Sequence, residues 1–162
     1  MKAQSVTIRP YKTGDARAVI GIMREVFIDE YGWTTAFLRE AVRTLRKMLM
    51  TMIPVSELFL VCESREGLCG VMFLKVGEED SAFIRWLAVK RGYRGRGIGR
   101  ILLEAALEFS REAGYESVKL ITVGQLHEAM ELYRCAGFIE VGQKETVLWD
   151  MEMNVHYMEI RL

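Results

Sequence analysis

A short glycine-rich turn between an apolar run and an amphipathic run constrains this sequence more than any other stretch. The turn is the middle of residues 87–104, which read LAVKRGYRGRGIGRILLE. Leu87–Val89 predicts the end of a strand, and apolar residues at helical spacing from Gly97 onward predict a helix. A helix that begins directly after a turn presents free N–H groups and the positive end of its dipole to that turn. Such a terminus suits an anion.

Glycines and cations make up most of the turn. Gly95, Gly97 and Gly99 let the backbone approach a ligand closely and adopt conformations that a Cβ would block. No acidic residue interrupts the cations before Glu104. The cations are Lys90, Arg91, Arg94, Arg96 and Arg100. This pattern predicts a binding site for a polyphosphate.

Two common phosphate-binding motifs are excluded. A Walker loop requires Lys-Ser or Lys-Thr after its last glycine, where this chain has Ile98 and Gly99. A dinucleotide-binding fingerprint requires a glycine where this chain has Arg100. The pattern that remains is R-x-x-G-x-G, formed by Arg94, Gly97 and Gly99.

This pattern, with a second motif downstream, resembles the GNAT (GCN5-related) N-acetyltransferases. L-A-V precedes the turn, and A-x-x-L-Y-x-x-x-G-F follows at residues 129–138. The resemblance implies acetyl-coenzyme A as co-substrate, with its pyrophosphate at the turn and its pantetheine arm along the backbone of Leu87–Val89. It also implies that the Val89 N–H donates to the developing oxyanion. The cofactor-binding residues that it implies are Leu87, Ala88, Val89, Arg94, Gly95, Arg96, Gly97, Ile98, Gly99 and Arg100. Leu87–Val89 is also compatible with a plain core strand.

The predicted element order is β-α-α-β-β-β-α-β-α-β-β, an α+β fold with a mixed, mostly antiparallel sheet flanked by helices. The order matches the GNAT arrangement across nearly the whole chain, so we expect a single domain over residues 1–162. The predicted strands are 5–10, 57–63, 68–76, 81–89, 117–123, 138–146 and 155–162. The predicted helices run from Thr13 to near Tyr31, from 33–35 to Pro54, from Gly97 to Gly114 and from Leu126 to Gly137. Residues 148–154 are predicted to form a longer loop.

Composition narrows the range of partners. The 22 basic and 22 acidic residues balance, so no whole-molecule field attracts nucleic acid or a membrane surface. No apolar run approaches the roughly 20 residues that cross a bilayer, and the start MKAQSVTIRP lacks the apolar core of a signal peptide. Cys62, Cys69 and Cys135 show no metal-ligand spacing and are expected to be reduced thiols in or near the core. We therefore expect a cytoplasmic protein without metal, nucleic acid or membrane partner; a homodimer remains possible.

Tyr133 is the predicted catalytic residue. It matches the tyrosine of the family's Leu-Tyr pair. A phenol with an ordinary pKa of about 10 can protonate a departing thiolate. The helical spacing of Tyr133 with Ala129 and Ala136, taken alone, favours a core aromatic ring, and the surrounding motif favours the catalytic role.

The sequence identifies no general base. Many family members carry a glutamate on the strand before the turn, but the corresponding place here lies near Phe83, and Arg85 is the charged residue of that strand. Many also have an asparagine where this chain has Leu126, which affects one cofactor contact. Candidates elsewhere, each otherwise a solvated surface residue, are Glu30, Glu79, Asp80, His127, Asp150 and His156. A water chain or an already neutral amine could serve instead.

Aromatic residues favour an apolar or cationic acceptor. Tyr31 and Trp33 lie in the predicted turn between the first two helices, which in GNAT proteins overhangs the acceptor pocket. Arg85, Trp86 and Trp149 are further candidates for this wall. These aromatic residues are equally compatible with a role in capping the core beneath the turn.

We therefore expect an acetyl-CoA-dependent N-acetyltransferase that acts on a primary amine, small or peptidic, by direct transfer in a ternary complex. No cysteine occupies a motif position that would suggest an acetyl-enzyme. The alternative is a non-catalytic module that binds coenzyme A or an acyl-CoA as a sensor. A narrower resemblance, carried by EYGW at 30–33 and LITVGQLHEAMELYRCAGF at 120–138, is to the acetyltransferase half of bacterial MarR–GNAT fusion proteins. This sequence contains no winged-helix segment.

Overall fold

One sheet with helices on both faces accounts for residues 5–162, which the computed structural model describes. The stretch that we expect to lack the apolar core of a signal peptide begins with residues 1–4, and this part of it lies outside the described residues. The strands are β1 (Thr7–Pro10), β2 (Leu58–Ser64), β3 (Gly67–Val76), β4 (Ser81–Val89), β5 (Ser117–Val123), β6 (Ile139–Leu148) and β7 (Met151–Arg161). The helices are α1 (Ala16–Met23), α2 (Thr35–Thr51), α3 (Ile98–Glu112) and α4 (His127–Cys135).

The strand order is β1-β2-β3-β4-β5-β7-β6. Among the described strands, only β4 and β5 pair in parallel, and every other pair is antiparallel. The predicted α+β fold with a mixed, mostly antiparallel sheet is therefore confirmed.

The two faces of the sheet are covered by different helices. Val19, Ile22 and Phe37 place α1 and α2 in one buried layer with the sheet. Leu102 and Leu103 of α3 belong to the opposite layer, together with residues of α4. Each apolar side chain buried in this way contributes about 1.5–3 kcal/mol relative to exposure. The sheet therefore lies between two apolar layers, so the two faces of its interior strands contact different helices.

The predicted loop at residues 148–154 is wrong, because β6 and β7 form a tight hairpin. Only Trp149 and Asp150 separate the two strands, with φ values of 51° and 63°. Two-residue hairpins favour Asn-Gly or Asp-Gly at such positions, so this turn lacks its usual sequence signal. The conformation of Trp149 is instead fixed by its contacts. Its indole Nε1 donates to Glu40 at 2.7 Å, and its carbonyl accepts from the Thr34 hydroxyl.

The first helix changes its hydrogen-bonding period before it ends. After α1, residues Arg24–Glu30 form a π-helical segment that stops just before Tyr31, close to the predicted end. Such segments occur frequently at functional sites. No helix within residues 5–162 combines the length and apolar character needed to span a bilayer.

All three cysteines are free thiols, and two of them are buried in the core. The sulfur atoms of Cys62 and Cys69 lie 3.4 Å apart on neighbouring strands. Cys135 is exposed, so its predicted place in or near the core is wrong. It lies at the last residue of α4, on the side of the helix that faces solvent.

Candidate active site

The parallel strands β4 and β5 separate halfway along their length. They pair only where Ser81–Ile84 runs beside Ser117–Leu120. Beyond that point, residues 85–89 and 121–123 part, and a cavity of about 670 Å³ lies at the gap, lined by both strands. Of the predicted cofactor-binding residues, all except Arg96 line this cavity, and so does Tyr133. The fold therefore gathers residues 87–100 and Tyr133 at one site.

A bulge in β4 determines which residues face each side of the gap. Ile84 pairs with Leu74 and Trp86 pairs with Phe73, so Arg85 is an extra residue in the ladder. Ile84 belongs to the apolar layer of α3, whereas Trp86 belongs to that of α1 and α2. A bulge places two successive residues opposite a single partner. Arg85 and Trp86 consequently both line the cavity, and the bulge explains why Trp86 joins the α1 and α2 layer.

The peptide groups of Leu87 and Val89 point into the gap. Pairs in an antiparallel ladder alternate between those that exchange hydrogen bonds and those that do not. Lys90 donates its N–H to the Cys69 carbonyl at 2.9 Å, so the alternating register turns the Val89 and Leu87 peptide groups away from β3. The Val89 carbonyl accordingly accepts a hydrogen bond from Arg94 Nε at 2.9 Å. Backbone donors and acceptors are therefore available beside the separated strand β5.

The turn before α3 exposes the start of that helix. Gly95 and Gly97 have φ values of 73° and 77°, in the region that favours glycine. Gly97 caps the helix without a side-chain hydrogen bond. Within the described residues, the N–H groups from Gly97 to Arg100 donate to no carbonyl or side chain. A Cβ on Gly99 would lie 3.3 Å from Leu132 Cδ2, so a larger residue there would narrow the cavity. Free donors and close backbone approach fit an anionic group at this place.

The cations of the turn are less free than the sequence suggested. Arg94 donates to both carboxylate oxygens of Glu30, with Nη2 to Oε2 at 2.8 Å, and both side chains are about four-fifths buried. Arg100 pairs with Glu104 at 2.8 Å on the surface. Arg96 donates to the Gly92 carbonyl at 3.1 Å. The backbone N–H groups, more than the Arg94 side chain, are thus the donors that face the gap.

Tyr133 is at once a wall residue and a core residue. Its ring is 5% exposed, packs against Phe138 with centroids 5.8 Å apart, and lines the cavity. Burial raises the pKa of Tyr133 above its ordinary value. Its hydroxyl has no hydrogen-bond partner in the described part of the chain. The two interpretations of Tyr133 are therefore compatible with each other.

None of the six sequence-based candidates for a general base lines the cavity. Glu30 is occupied by Arg94, and His156 Nδ1 lies 2.9 Å from Glu140 Oε2 on the opposite side of β7 from the α1 and α2 layer. The other four, Glu79, Asp80, His127 and Asp150, are exposed. Leu126, which stands where many relatives have asparagine, does line the cavity.

The carboxylates on the cavity wall are Glu40 and Glu128, which sequence reasoning missed. Glu40 lies on α2 between Phe37 and Ala41, two residues of its buried stripe. The signal available in the sequence was an acidic residue that flanks the apolar stripe of α2.

The predicted acceptor residues, Tyr31, Trp33, Arg85, Trp86 and Trp149, all line the cavity. Trp33 stacks on Trp149 with ring centroids 4.9 Å apart, and Phe37 meets the Trp149 ring edge-on at 5.0 Å. Trp33 Nε1 donates to Gln125 Oε1 at 2.9 Å. These rings form a rigid apolar wall, and they also close the core of α1 and α2.

Two buried polar atoms of the cavity residues lack a partner within residues 5–162. They are Trp86 Nε1 and Thr122 Oγ1, and each residue is 5% exposed. A buried polar group without a partner typically costs about 1–3 kcal/mol. Such groups in a cavity wall are expected to gain partners when a ligand is bound.

Comparison with known proteins identifies the family. A sequence model described as the Acetyltransferase (GNAT) family matches residues 22–138, more than half of the chain. This chain is a member of the GNAT family. Its relatives include human N-acetyltransferase 8B, 33% identical over 103 residues that cover 60% of this chain and 45% of the relative. Mycothiol acetyltransferase of Beutenbergia cavernae is 38% identical over 87 residues, covering 53% and 29%. The GNAT chain thus matches less than half of the length of either relative.

Solved structures confirm the GNAT fold. An acetyltransferase of the GNAT family from Staphylococcus aureus superposes with a TM-score of 0.79 at 15% identity, covering 97% of this chain and 99% of that one. PaiA N-acetyltransferase from Thermoplasma acidophilum, solved in complex with coenzyme A, has a TM-score of 0.75 at 21% identity, covering 98% and 99%. The parting of β4 and β5 therefore lies within a GNAT fold.

Proposed function

We propose that this GNAT chain transfers an acetyl group from acetyl-CoA directly to a primary amine in a ternary complex. The observation that carries the proposal is the gap between β4 and β5. The peptide groups of Leu87 and Val89 face it, and the free N–H groups at the start of α3 lie at its edge. A chain of amides ending in a diphosphate has complementary groups in the same order.

Binding is assigned to the backbone of β4 and of the turn. The N–H groups of Gly97–Arg100, supported by the surrounding cations, are expected to bind the diphosphate. The peptide groups of Leu87 are expected to pair with the pantetheine amides as a strand would, which brings the thioester to the Val89 N–H, while the Val89 carbonyl is held by Arg94 Nε. The unpartnered Thr122 hydroxyl, on the other side of the gap, is a further hydrogen-bonding group for this arm.

Catalysis is assigned to one backbone group and one side chain. Acetyl-CoA supplies the thioester when it is bound. The Val89 N–H is expected to donate to the carbonyl oxygen as negative charge develops there. Tyr133 is expected to give its proton to the sulfur as the C–S bond breaks and the neutral amine forms the new C–N bond, while the proton that nitrogen loses passes to water. Because its pKa is raised by burial, Tyr133 holds that proton at neutral and mildly alkaline pH.

A transfer assay with a panel of primary amines tests this proposal. Release of free coenzyme A thiol is followed with a disulfide reagent, and the acetylated product is identified by mass. We expect amine-dependent thiol release with stoichiometric N-acetyl product. Tight acetyl-CoA binding without transfer to any amine of the panel would support the sensor alternative instead.

Four narrower assignments are also proposed. The chain is proposed to act as one acetyltransferase domain over residues 1–162, supported by the single sheet of its described part. The EYGW and LITVGQLHEAMELYRCAGF segments support kinship with the acetyltransferase half of MarR–GNAT fusions.

The free cysteines support a reducing, cytoplasmic setting. A homodimer is proposed as the state to test by light scattering, since β6 is a sheet edge with exposed Ile139 and Val147.

A further inference from the structure

The cavity wall on the α1 and α2 side has unpaired hydrogen-bond donors. Arg85 has five N–H donors and no acceptor, and within the described residues only Glu40 accepts from it. Trp86 carries a single donor, Nε1, which has no partner in the described part of the chain. Lys75, on the neighbouring strand, lies with its ammonium group 5.5 Å from the Phe83 ring centroid. This wall can therefore still donate several hydrogen bonds to a ligand.

The carboxylate on this wall is already occupied. One oxygen of Glu40 accepts from Arg85 Nη2, and the other accepts from Trp149 Nε1 at 2.7 Å. Glu40 therefore holds Arg85 in place rather than presenting a free negative charge to a ligand. Two cations, Arg85 and Lys75, stand against this one anion, which leaves the wall with a net positive charge. Such a wall disfavours a second cationic group on the acceptor and favours an anionic one.

We propose that the acceptor carries a carboxylate bound by Arg85, together with an apolar group packed against the rings of Trp33 and Trp149. This inference rests on the proposed acetyl transfer and names its acceptor class: an apolar amino acid or a compound that presents the same amine, carboxylate and apolar group. Arg pairs with carboxylates through parallel N–H donors, and such charge-assisted bonds are short and strong. The bulge is what brings Arg85 to this wall beside Trp86.

The test compares amines that differ only in the carboxylate. Phenylalanine is paired with phenethylamine and tryptophan with tryptamine, and kcat/KM for acetylation is measured for each. In the wild type we expect the carboxylate compound to be at least tenfold better. In Arg85→Gln we expect that ratio to fall at least tenfold through a higher KM for the amino acid. The two amines of a pair differ in basicity, but this difference is the same for the wild type and for Arg85→Gln. It therefore cancels when the kcat/KM ratios of the two proteins are compared.

Two further variants separate acceptor binding from a structural ion pair. Glu40→Gln keeps one acceptor oxygen in place of the two that accept from Arg85 and Trp149, but it leaves the Arg85 guanidinium on the wall, so we expect it to keep the preference for the carboxylate compound. Arg43→Gln removes an exposed cation from α2 that does not line the cavity, and it should change neither kcat/KM. If Arg85→Gln and Glu40→Gln reduced both members of each pair equally, Arg85 would be a structural partner only, and the inference would be overturned.

A binding measurement decides the question independently of turnover. N-acetylphenylalanine and N-acetylphenethylamine are titrated calorimetrically into the CoA-loaded protein. We expect Arg85→Gln to weaken binding of the first at least tenfold and to leave the second unchanged. Equal binding of both by the wild type would refute the carboxylate subsite. Absence of transfer to every amine, with this binding difference intact, would count against the proposed reaction only.

Discussion

Arg94 and Glu30 join the turn before α3 to the end of the π-helical segment. Both carboxylate oxygens of Glu30 accept from the guanidinium, and Arg94 Nε also donates to the Val89 carbonyl. The turn at residues 90–97 is therefore fixed to two elements, β4 and the segment after α1. Arg94 of the R-x-x-G-x-G motif therefore links the turn to both of these elements through its side-chain hydrogen bonds; we call this link the Arg94 tie.

This pair should be strongly coupled in folding. Because both side chains are largely buried, we expect a double-mutant cycle of Arg94→Gln and Glu30→Gln to give a coupling energy of about 1–2 kcal/mol in urea denaturation. The surface pair Arg100–Glu104 is a matched control, expected to give about 0.3–0.5 kcal/mol. Additive effects at residues 94 and 30 would show that the Arg94 tie does not stabilise the fold.

Tyr133→Phe should separate catalysis from packing. The ring and its contact with Phe138 are kept, so the melting temperature should change little. If the hydroxyl protonates the leaving thiolate, kcat should fall by about a hundredfold or more, with CoA affinity nearly unchanged. Since burial raises the pKa of Tyr133, the wild-type rate should show no loss from this group as the pH rises through 10. Full activity of the variant would end the assignment.

Gly97 should be required for coenzyme A binding. A Cβ there meets no protein atom within 4 Å, so a side chain would project into open space at the start of α3. We expect Gly97→Asn to weaken CoA binding at least tenfold in calorimetry, although asparagine tolerates the positive φ of this position. Gly92→Ala, in the same turn and equally open, is the control. Unchanged affinity in Gly97→Asn would refute the diphosphate site.

Thiol reactivity should distinguish the three cysteines. Burial raises the pKa of the Cys62 thiol to about 12 and also raises that of Cys69, so neither should react in the native state. Cys135 is exposed, although hydrogen bonding to Glu131 raises the pKa of its thiol. At pH 8 a disulfide reagent should therefore modify one thiol of the folded protein and three after unfolding. Cys135→Ser should leave no thiol that reacts before unfolding.

The β6–β7 turn should be open to stabilisation. Asp150 is exposed and has a φ of 63°, a conformation in which glycine has no steric cost. We expect Asp150→Gly to increase the free energy of unfolding by about 0.5–1 kcal/mol. Lys144→Gly, in the extended interior of β6, should decrease it instead. A destabilised Asp150→Gly would indicate that the aspartate side chain contributes to the turn.

Local patterns predicted those parts of the molecule whose determinants are close in sequence. The turn at residues 90–97 combines glycines, cations and a helix start within a few residues, and the structure has this arrangement. The position of Glu40 beside Arg85 depends on a contact between residues 45 positions apart. The Trp149 conformation likewise depends on contacts with α2. Sequence periodicity carries no information on such pairs, so the hairpin and the wall carboxylates were missed.

The extra residue at position 85 changes which side chains of β4 face each of the two apolar layers. Before it, even-numbered residues such as Ile84 face the α3 layer; after it, even-numbered residues such as Trp86 and Ala88 face the α1 and α2 layer. The face of the sheet on which the even-numbered residues lie therefore changes once along β4, a change of parity. A regular strand would have put the even-numbered residues of both halves on one side, with Arg85 and Trp86 on opposite sides. The change of parity leaves the peptide groups of Leu87 and Val89 at the gap and places the adjacent side chains of Arg85 and Trp86 together on the cavity wall. Deleting Arg85 would make Ile84 and Trp86 neighbours that alternate regularly opposite their present partners Leu74 and Phe73, so both halves of the strand would keep their faces and the cavity wall would lose its arginine.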